Sequence, residues 1–285
     1  MSQDIQIDAF PPAKMAERME GVGVNKSKLN FWTTFALAIL AGAFIGTGAI
    51  FCTTVLAGLA KAEVAYGIQR LLGGLVFCLG LIAVVVAGAE LFTGNNLIVM
   101  AFMSGKVKLQ GLLRNWAIVY VGNLVGSLLT VVVMFLSQQF SQGGGQVGLA
   151  ALNIANAKSG LAFVPALFLG IMCNALVCLA VWLCSSARST TDKILAIIFP
   201  ITAFVAAGFE HSVANMYFIP IGLFIKQFDP AFTEKITTAA GLNLDGLTWG
   251  SFLINNLLPV TIGNIIGGSI LVAAVYWAVF LRHRD

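Results

Sequence analysis

Long apolar stretches separated by short polar segments dominate the chain. A transmembrane helix needs about 20 predominantly apolar residues, and six stretches are long enough: 31–59, 71–104, 112–137, 161–184, 194–225 and 249–281. Hydrophobic residues make up 59% of the chain and charged residues only 10%, which does not suit a water-soluble core. The pattern predicts an all-α membrane protein with six transmembrane helices.

Polar residues interrupt the second and fifth stretches midway, with the sequence ELFTGNN at 90–96 and EHSVAN at 210–215. Non-helical backbone is tolerated at membrane depth only where it is buried in protein or lines a wet cavity. We therefore expect helices 2 and 5 to be broken at mid-membrane, beside a pathway for a solute.

Two short motifs occur twice in the same order. A-G-x-E-x-x-x-x-N is found at 87–95 and 207–215, and G-N-x-x-G is found at 122–126 and 263–267. The duplication predicts two equivalent halves of three helices each, which must cross the membrane in opposite orientations as a 3+3 inverted repeat. Half-helix N-termini that meet near the midplane favour an anion.

The first thirty residues carry charges throughout and lack the apolar stretch of a secretory signal. Met15, Met19 and Val22 follow Pro11-Pro12 at helical spacing, which predicts a short amphipathic helix in a cytoplasmic segment at 1–30. A channel domain follows at 31–281 and a short tail at 282–285. Both termini are expected in the cytoplasm, because few Lys and Arg residues then remain outside: Lys61, Arg70, Lys158, Lys226 and Lys235.

Glu90, Glu210 and His211 are the clearly ionisable residues at membrane depth. A charge there costs about 2.5 to 3.5 kcal/mol even on the lenient insertion scales. For the two glutamates we favour a scaffolding role, in which the carboxylates accept hydrogen bonds beside the helix breaks. A fixed negative charge that lined an anion pore would repel the solute.

His211 can switch between a neutral donor and a cation near neutral pH and could polarise or protonate a passing anion. Thr93, in the other break, could face it; a neutral core histidine remains the alternative. Lys158 precedes the fourth helix, and a solvated surface lysine explains it equally well. Phe77, Leu81 and Phe204 lie before the breaks and could narrow a pore, but the pattern does not distinguish them from core residues.

No cofactor or metal is expected. The five cysteines lie in apolar runs without a C-x-x-C pair and are interpreted as packing residues: Cys52, Cys78, Cys173, Cys178 and Cys184. A net charge of +4 does not indicate a nucleic-acid partner. An enzyme is disfavoured because metalloprotease and Ser/His/Asp patterns are missing. The paired Asn-Pro-Ala motifs of a water or glycerol channel are missing, and a sodium-coupled transporter is disfavoured because only two acidic residues lie at membrane depth.

Four longer motifs resemble the formate/nitrite transporter family, and most closely its formate channels. They are VAGAELFTG at 86–94, GIMCNALVCLA at 170–180, GFEHSVANM at 208–216 and PVTIGNIIGG at 259–268. The resemblance implies an aquaporin-like protomer in a homopentamer in the bacterial inner membrane, with one pore in each protomer. It also implies that the N-terminal helix takes part in pH-dependent gating and leaves room for a cytoplasmic partner there.

The resemblance also implies roles for individual residues. His211 and Thr93 would meet at the pore centre, while Lys158 would attract the anion and favour its protonation. The amide side chains expected near the centre are Asn174, Asn215 and Asn264. The hydrophobic constrictions expected on either side are Leu81, Leu91, Phe77 and Phe204. Gly94-Asn95-Asn96 departs from the Ser or Thr that formate channels often carry after the loop threonine.

The predicted function is therefore bidirectional passage of formate, with nitrite or hydrosulfide as the alternative substrates in the same family. A bare carboxylate crosses an apolar constriction only at high cost, whereas its neutral acid crosses easily. We expect the anion to gain a proton at or before His211 and to cross wholly or partly as formic acid.

Overall fold

The computed structural model describes residues 8–282, and this part of the chain is built from helices joined by turns. The α-helices are α1 (Pro12–Lys28), α2 (Phe31–Leu56), α3 (Tyr66–Ala87), α4 (Ile98–Met103), α5 (Leu109–Leu136), α6 (Gln146–Ser159), α7 (Phe163–Cys184), α8 (Thr190–Ala206), α9 (Ser212–Phe228), α10 (Pro230–Ala240), α11 (Leu258–Ile265) and α12 (Val275–Phe280). Short 3₁₀ segments precede α4 and α6, and π-helical segments at Ser251–Leu257 and Ile266–Ala274 flank α11.

Five helical segments within residues 8–282 are long and apolar enough to cross a bilayer. They are Phe31–Leu56, Tyr66–Ala87, Leu109–Leu136, Phe163–Cys184 and the continuous segment Ser251–Phe280. The fifth predicted stretch instead contains two helices of 17 residues each, α8 and α9. The second stretch contains α3 followed by the short helix α4.

Both helix interruptions begin at a glycine in the left-handed conformation. Gly88 caps α3 and Gly208 follows α8, each with a φ of 78°, and a side chain at either position would strain the backbone. After each glycine the backbone bonds to a neighbouring helix: the N–H of Glu90 donates to Leu37 O at 3.2 Å, and that of Glu210 donates to Leu169 O at 3.3 Å. The second interruption is shorter than the sequence indicates, because α9 already begins at Ser212.

Glycines allow the spanning helices to pack at very short distances. A Cβ atom at Gly42, Gly126, Gly263 or Gly267 would lie 2.0 to 2.2 Å from a backbone oxygen of the facing helix. The first two glycines bring α2 against α5, and the last two bring α7 against the last span. The two glycines of each repeated G-N-x-x-G motif have the G-x-x-x-G spacing that favours such close packing of helices, and the packing is the same in the two halves.

Helix α1 lies against the rest of the protein and not free beside it. Met15, Ala16 and Met19 are buried, and Lys106 bonds to Glu20 of α1. Ahead of α1, the ring of Phe10 is contacted by two guanidinium groups, which are those of Arg18 at 4.1 Å and Arg188 at 3.5 Å. The predicted tail at 282–285 lies outside the described residues except for Arg282, as do residues 1–7 of the predicted N-terminal segment.

Candidate functional site

Two cavities lie beside the two helix interruptions. The first vestibule has a volume of about 350 Å³ and is lined by α1, α3 and the segment after α3, including Lys26, Glu90 and Leu91. The second vestibule has a volume of about 390 Å³ and is lined by α6 and the segments on both sides of the α8–α9 interruption, including Lys158 and Glu210. Each vestibule thus contains a lysine and a carboxylate.

An apolar barrier separates the vestibules, which have no lining residue in common. Leu81 and Leu91 border the first vestibule, whereas Phe77 and Phe204 border the second. All four side chains are at most 3% exposed, and the two phenyl rings pack edge to face with their centroids 5.7 Å apart. The structure thus brings together all four residues that were expected to form constrictions.

Thr93 and His211 meet at this barrier, where His211 also lines the second vestibule. The hydroxyl of Thr93 lies 2.9 Å from His211 Nε2, and both residues are buried. His211 Nδ1 accepts the backbone N–H of Ala214 at 3.0 Å, so the imidazole ring caps the N-terminus of α9. Because Nδ1 accepts, the neutral ring carries its proton on Nε2 and donates it to Thr93 Oγ1. A protonated Nδ1 would oppose the Ala214 N–H.

Four polar side chains, three of them buried, form a cluster at the first interruption. Lys26 Nζ donates to Glu90 at 2.6 Å, and Asn95 donates to the other carboxylate oxygen at 2.7 Å. Asn95 also donates to Asn115 at 2.9 Å, and Asn115 donates to the backbone oxygen of Lys26 at 3.4 Å. The buried carboxylate is therefore paired and hydrogen-bonded, as a charge in a low-dielectric site must be.

The second interruption carries the same cluster. Lys158 Nζ donates to Glu210 at 2.7 Å, and Asn215 donates to the other carboxylate oxygen at 2.6 Å. Asn215 also donates to Asn256 at 2.7 Å, and Asn256 donates to the backbone oxygen of Lys158 at 2.9 Å. Lys158 is thus a largely buried member of an ion pair and not a solvated surface residue.

The asparagines of the repeated G-N-x-x-G motif hold the interrupted backbone. Asn123 donates to Glu90 O at 2.9 Å and accepts the N–H of Phe92 at 2.9 Å. Asn264 donates to Glu210 O at 3.0 Å and accepts the N–H of Ser212 at 2.9 Å. Each amide therefore satisfies backbone groups that the missing helical turn leaves without partners.

Asn174 connects the two halves at the barrier. Its side-chain N–H groups lie within hydrogen-bond distance of the backbone oxygens of Thr93 at 3.2 Å and Asn264 at 2.7 Å, and of the amide oxygen of Asn96 at 3.0 Å. Asn174 and Asn264 are fully buried and line neither vestibule. Their contacts therefore orient backbone at the barrier.

Four functional candidates were missed by the sequence analysis: Lys26, Asn115, Asn256 and Arg70. Lys26 was counted only as a cytoplasmic charge, although one signal was present. Lys26 and Lys158 each lie five residues before the first residue of a long apolar helix. Arg70 lines the second vestibule. Among residues 8–282, no group of three or more His, Cys, Asp or Glu side chains is placed to hold a metal ion.

The chain matches the family model for the formate/nitrite transporter over residues 13–278. It is 45% identical to the formate channel FocA of Escherichia coli K12, covering 100% of this chain and 99% of that protein. Among solved structures, a pentameric formate channel with formate bound matches 88% of this chain and 98% of its own, with a TM-score of 0.81 and 45% identity.

A second solved structure, an ion channel of the FNT family, gives a TM-score of 0.76 at 27% identity and covers 93% of this chain and 98% of its own. The matched proteins are channels and transporters and not enzymes. The resemblance that the four motifs indicate is therefore confirmed.

Proposed function

Because the chain belongs to the formate/nitrite transporter family, we propose that it is a membrane channel that passes formate. One observation carries the proposal beyond family membership: two vestibules meet an apolar barrier that contains the Thr93–His211 contact. Cavities of this volume admit a small hydrated anion, and the barrier excludes large or strongly hydrated ions. The roles of individual residues below are part of this proposal.

We further propose six membrane passes, of which two are broken. The second pass combines α3 with α4, and the fifth combines α8 with α9, so each half contributes three passes in opposite orientation. The positive-inside rule supports cytoplasmic termini in the bacterial inner membrane. The chain then consists of an N-terminal segment at 1–30, a channel domain at 31–281 and a tail at 282–285. The protomer has an aquaporin-like fold, and five copies assemble into a homopentamer. The N-terminal segment takes part in pH-dependent gating and holds a site for a cytoplasmic partner.

Formate crosses this barrier as the neutral acid. A bare carboxylate would lose its hydration between Leu81, Leu91 and the phenyl rings, and the barrier offers few donors to replace it. The neutral His211 tautomer cannot supply the missing proton cheaply, because its loss would leave an anionic ring. The anion therefore takes up its proton in a vestibule, and the Thr93–His211 pair then offers hydrogen bonds to formic acid.

The polar clusters prepare the vestibules for this step. Lys158 pairs with Glu210 in the second vestibule, and Asn215 and Asn256 keep this pair in place at the interruption. Asn174 and Asn264 act by fixing the backbone around the barrier. Glu90 and Glu210 belong to the scaffold of the pore and do not bind the solute.

Flux measurements on the purified protein in vesicles test the function. Labelled formate, nitrite and hydrosulfide are offered under matched gradients to proteoliposomes and to protein-free vesicles, at several pH values. We expect formate uptake and efflux well above those of the empty vesicles, with proton movement and little net current. A preference for nitrite or hydrosulfide would mean that one of these anions, and not formate, is the substrate. Flux equal to that of empty vesicles would refute the proposal that the protein is a channel.

A further inference from the structure

The lysine of the second vestibule contributes little net charge. Lys158 and Glu210 are 2.7 Å apart, and their side chains are only 18% and 5% exposed. At such a distance the field of the ammonium group is largely cancelled by that of the carboxylate. An anion that approaches from outside therefore meets a pair of opposite charges and not a free cation.

Arg70 lines the same vestibule and has no carboxylate partner. Its Nε donates to Ala206 O at 3.1 Å, and its Nη2 bonds to Val205 O, so the guanidinium group lies at the end of α8. The described part of the chain contains four ion pairs, and Arg70 takes part in none of them. Glu210 is the sole carboxylate among the described residues that line this vestibule.

The guanidinium charge is only partly offset by the helix that it caps. The carbonyl end of a helix carries roughly half a negative charge, whereas the guanidinium group carries a full positive charge. Besides Arg70 and the Lys158–Glu210 pair, the described lining contains no Lys, Arg, Asp or Glu that could offset this excess. The second vestibule is therefore net positive because of Arg70.

We propose that Arg70 is the residue that concentrates the carboxylate substrate in the second vestibule. The inference rests on the proposed formate transport. It assigns the attraction of the anion to Arg70 and not to Lys158, the residue that the family resemblance implies. Lys158 instead holds the helix interruption together with Glu210. Arg70 acts through its field, since its donors are already directed at the carbonyls of α8, and it has no role in the barrier.

The opposite mouth also has an excess of positive charge. The first vestibule is lined by three cations, Arg18, Lys26 and Lys193, and by one carboxylate, Glu90, which is paired with Lys26. Two basic residues thus remain after pairing. An unpaired positive charge at each end suits a channel that receives an anion from both sides.

The test is the dependence of formate flux on formate concentration in proteoliposomes. Arg70→Gln keeps a donor for the α8 carbonyls but removes the charge, and we expect about a threefold higher half-saturating concentration at about 0.01 M ionic strength. The maximal flux stays near that of the parent. Raising ionic strength to about 0.1 M with gluconate narrows the difference, because the Debye length falls from about 30 to about 10 Å.

Two further variants isolate the charge. Arg70→Lys keeps it and should behave like the parent. Lys61→Gln removes an exposed charge from the turn before α3, outside the vestibule lining, and should also leave the half-saturating concentration unchanged.

A second pair of variants tests the charge of Arg70 while the guanidinium group stays in place. Tyr66 is 74% exposed and lies one turn before Arg70 on α3, so Tyr66→Glu places a carboxylate at i and the guanidinium group at i+4. Tyr66→Glu should reproduce the effect of Arg70→Gln, while Tyr66→Gln should not. Normal concentration dependence in both Arg70→Gln and Tyr66→Glu would overturn the inference, whereas absence of formate flux in the parent would overturn the proposed function itself.

Discussion

The hydroxyl groups of Tyr120 and Thr261 lie 2.9 Å apart, although 141 residues separate them in the chain. Tyr120 precedes Asn123 by three residues, and Thr261 precedes Asn264 by three. The two residues therefore occupy equivalent positions in the two halves. A contact between equivalent positions is what a twofold axis produces, so this hydrogen bond marks where the halves of the repeat meet.

Loss of this contact should weaken the union of the halves. Tyr120→Phe and Thr261→Val each remove one hydroxyl, and a typical hydrogen bond contributes about 0.5 to 1.5 kcal/mol. We expect each variant to lower the thermal unfolding midpoint of the detergent-solubilised protein. The double variant should lower the midpoint by less than the sum of the two single variants. Strict additivity would mean that the two hydroxyls do not interact energetically.

Glu210→Gln should destabilise the protein strongly. Removal of one partner from a buried ion pair leaves the other charge uncompensated and typically costs about 3 to 5 kcal/mol, and here the unpaired group is Lys158. The measurement is thermal unfolding in detergent, with Glu63→Gln as the control on an exposed carboxylate. Combining Glu210→Gln with Lys158→Met should recover part of the loss, whereas a further loss in the double variant would contradict a charge effect.

Thr93→Val should reduce formate flux without preventing folding. The valine keeps the shape of threonine but removes the acceptor for His211 Nε2–H, and an unsatisfied buried donor costs about 1 to 3 kcal/mol. If that cost falls on the permeation step, flux drops by about one to two orders of magnitude. Thr93→Ser keeps the hydroxyl and should retain most of the flux; equal flux in the two variants would contradict a role for the hydroxyl.

Gly126→Ala should disrupt the packing of α2 on α5. Its Cβ would lie 2.0 Å from Ile39 O, a contact that only a shift of the helices can relieve. Gly67→Ala provides a matched control, because nothing lies within 4 Å of its Cβ. We expect the first variant to yield little assembled protein by size-exclusion chromatography and the second to resemble the parent. Normal assembly of Gly126→Ala would show that this crossing can separate.

Much of the site could be predicted from the sequence, because its residues occur in motifs that are repeated in the two halves of the chain. The matched Glu90 and Glu210, followed by Asn95 and Asn215, identify both interruptions before any coordinates are known. The family resemblance adds the meeting of Thr93 with a histidine, which spacing within the chain cannot provide. Polar residues that recur in the same order at membrane depth are a strong signal, since each one costs free energy unless it has a partner.

The residues that were missed do not belong to the repeated motifs. Lys26 lies in an amphipathic helix among other charges, and only its position five residues before α2, which Lys158 matches before α7, distinguishes it from a topological charge. Asn115 and Asn256 stand outside the repeated motifs and become partners only when the helices cross. The start of α9 was placed too late because Asn215 looks like a break residue, whereas its side-chain N–H groups donate to Glu210 and Asn256 inside the first helical turn.

The duplicated clusters have a consequence for the direction of the formate flux. A solute that arrives from either face meets the same lysine, carboxylate and pair of asparagines, so these groups contribute equally to inward and outward movement. Within the barrier the halves differ: Leu91 stands where the other half has His211, and Val213 stands where the first half has Thr93. The leucines on one side and the phenyl rings on the other differ as well, so any rectification that arises inside the barrier must originate at these unmatched positions.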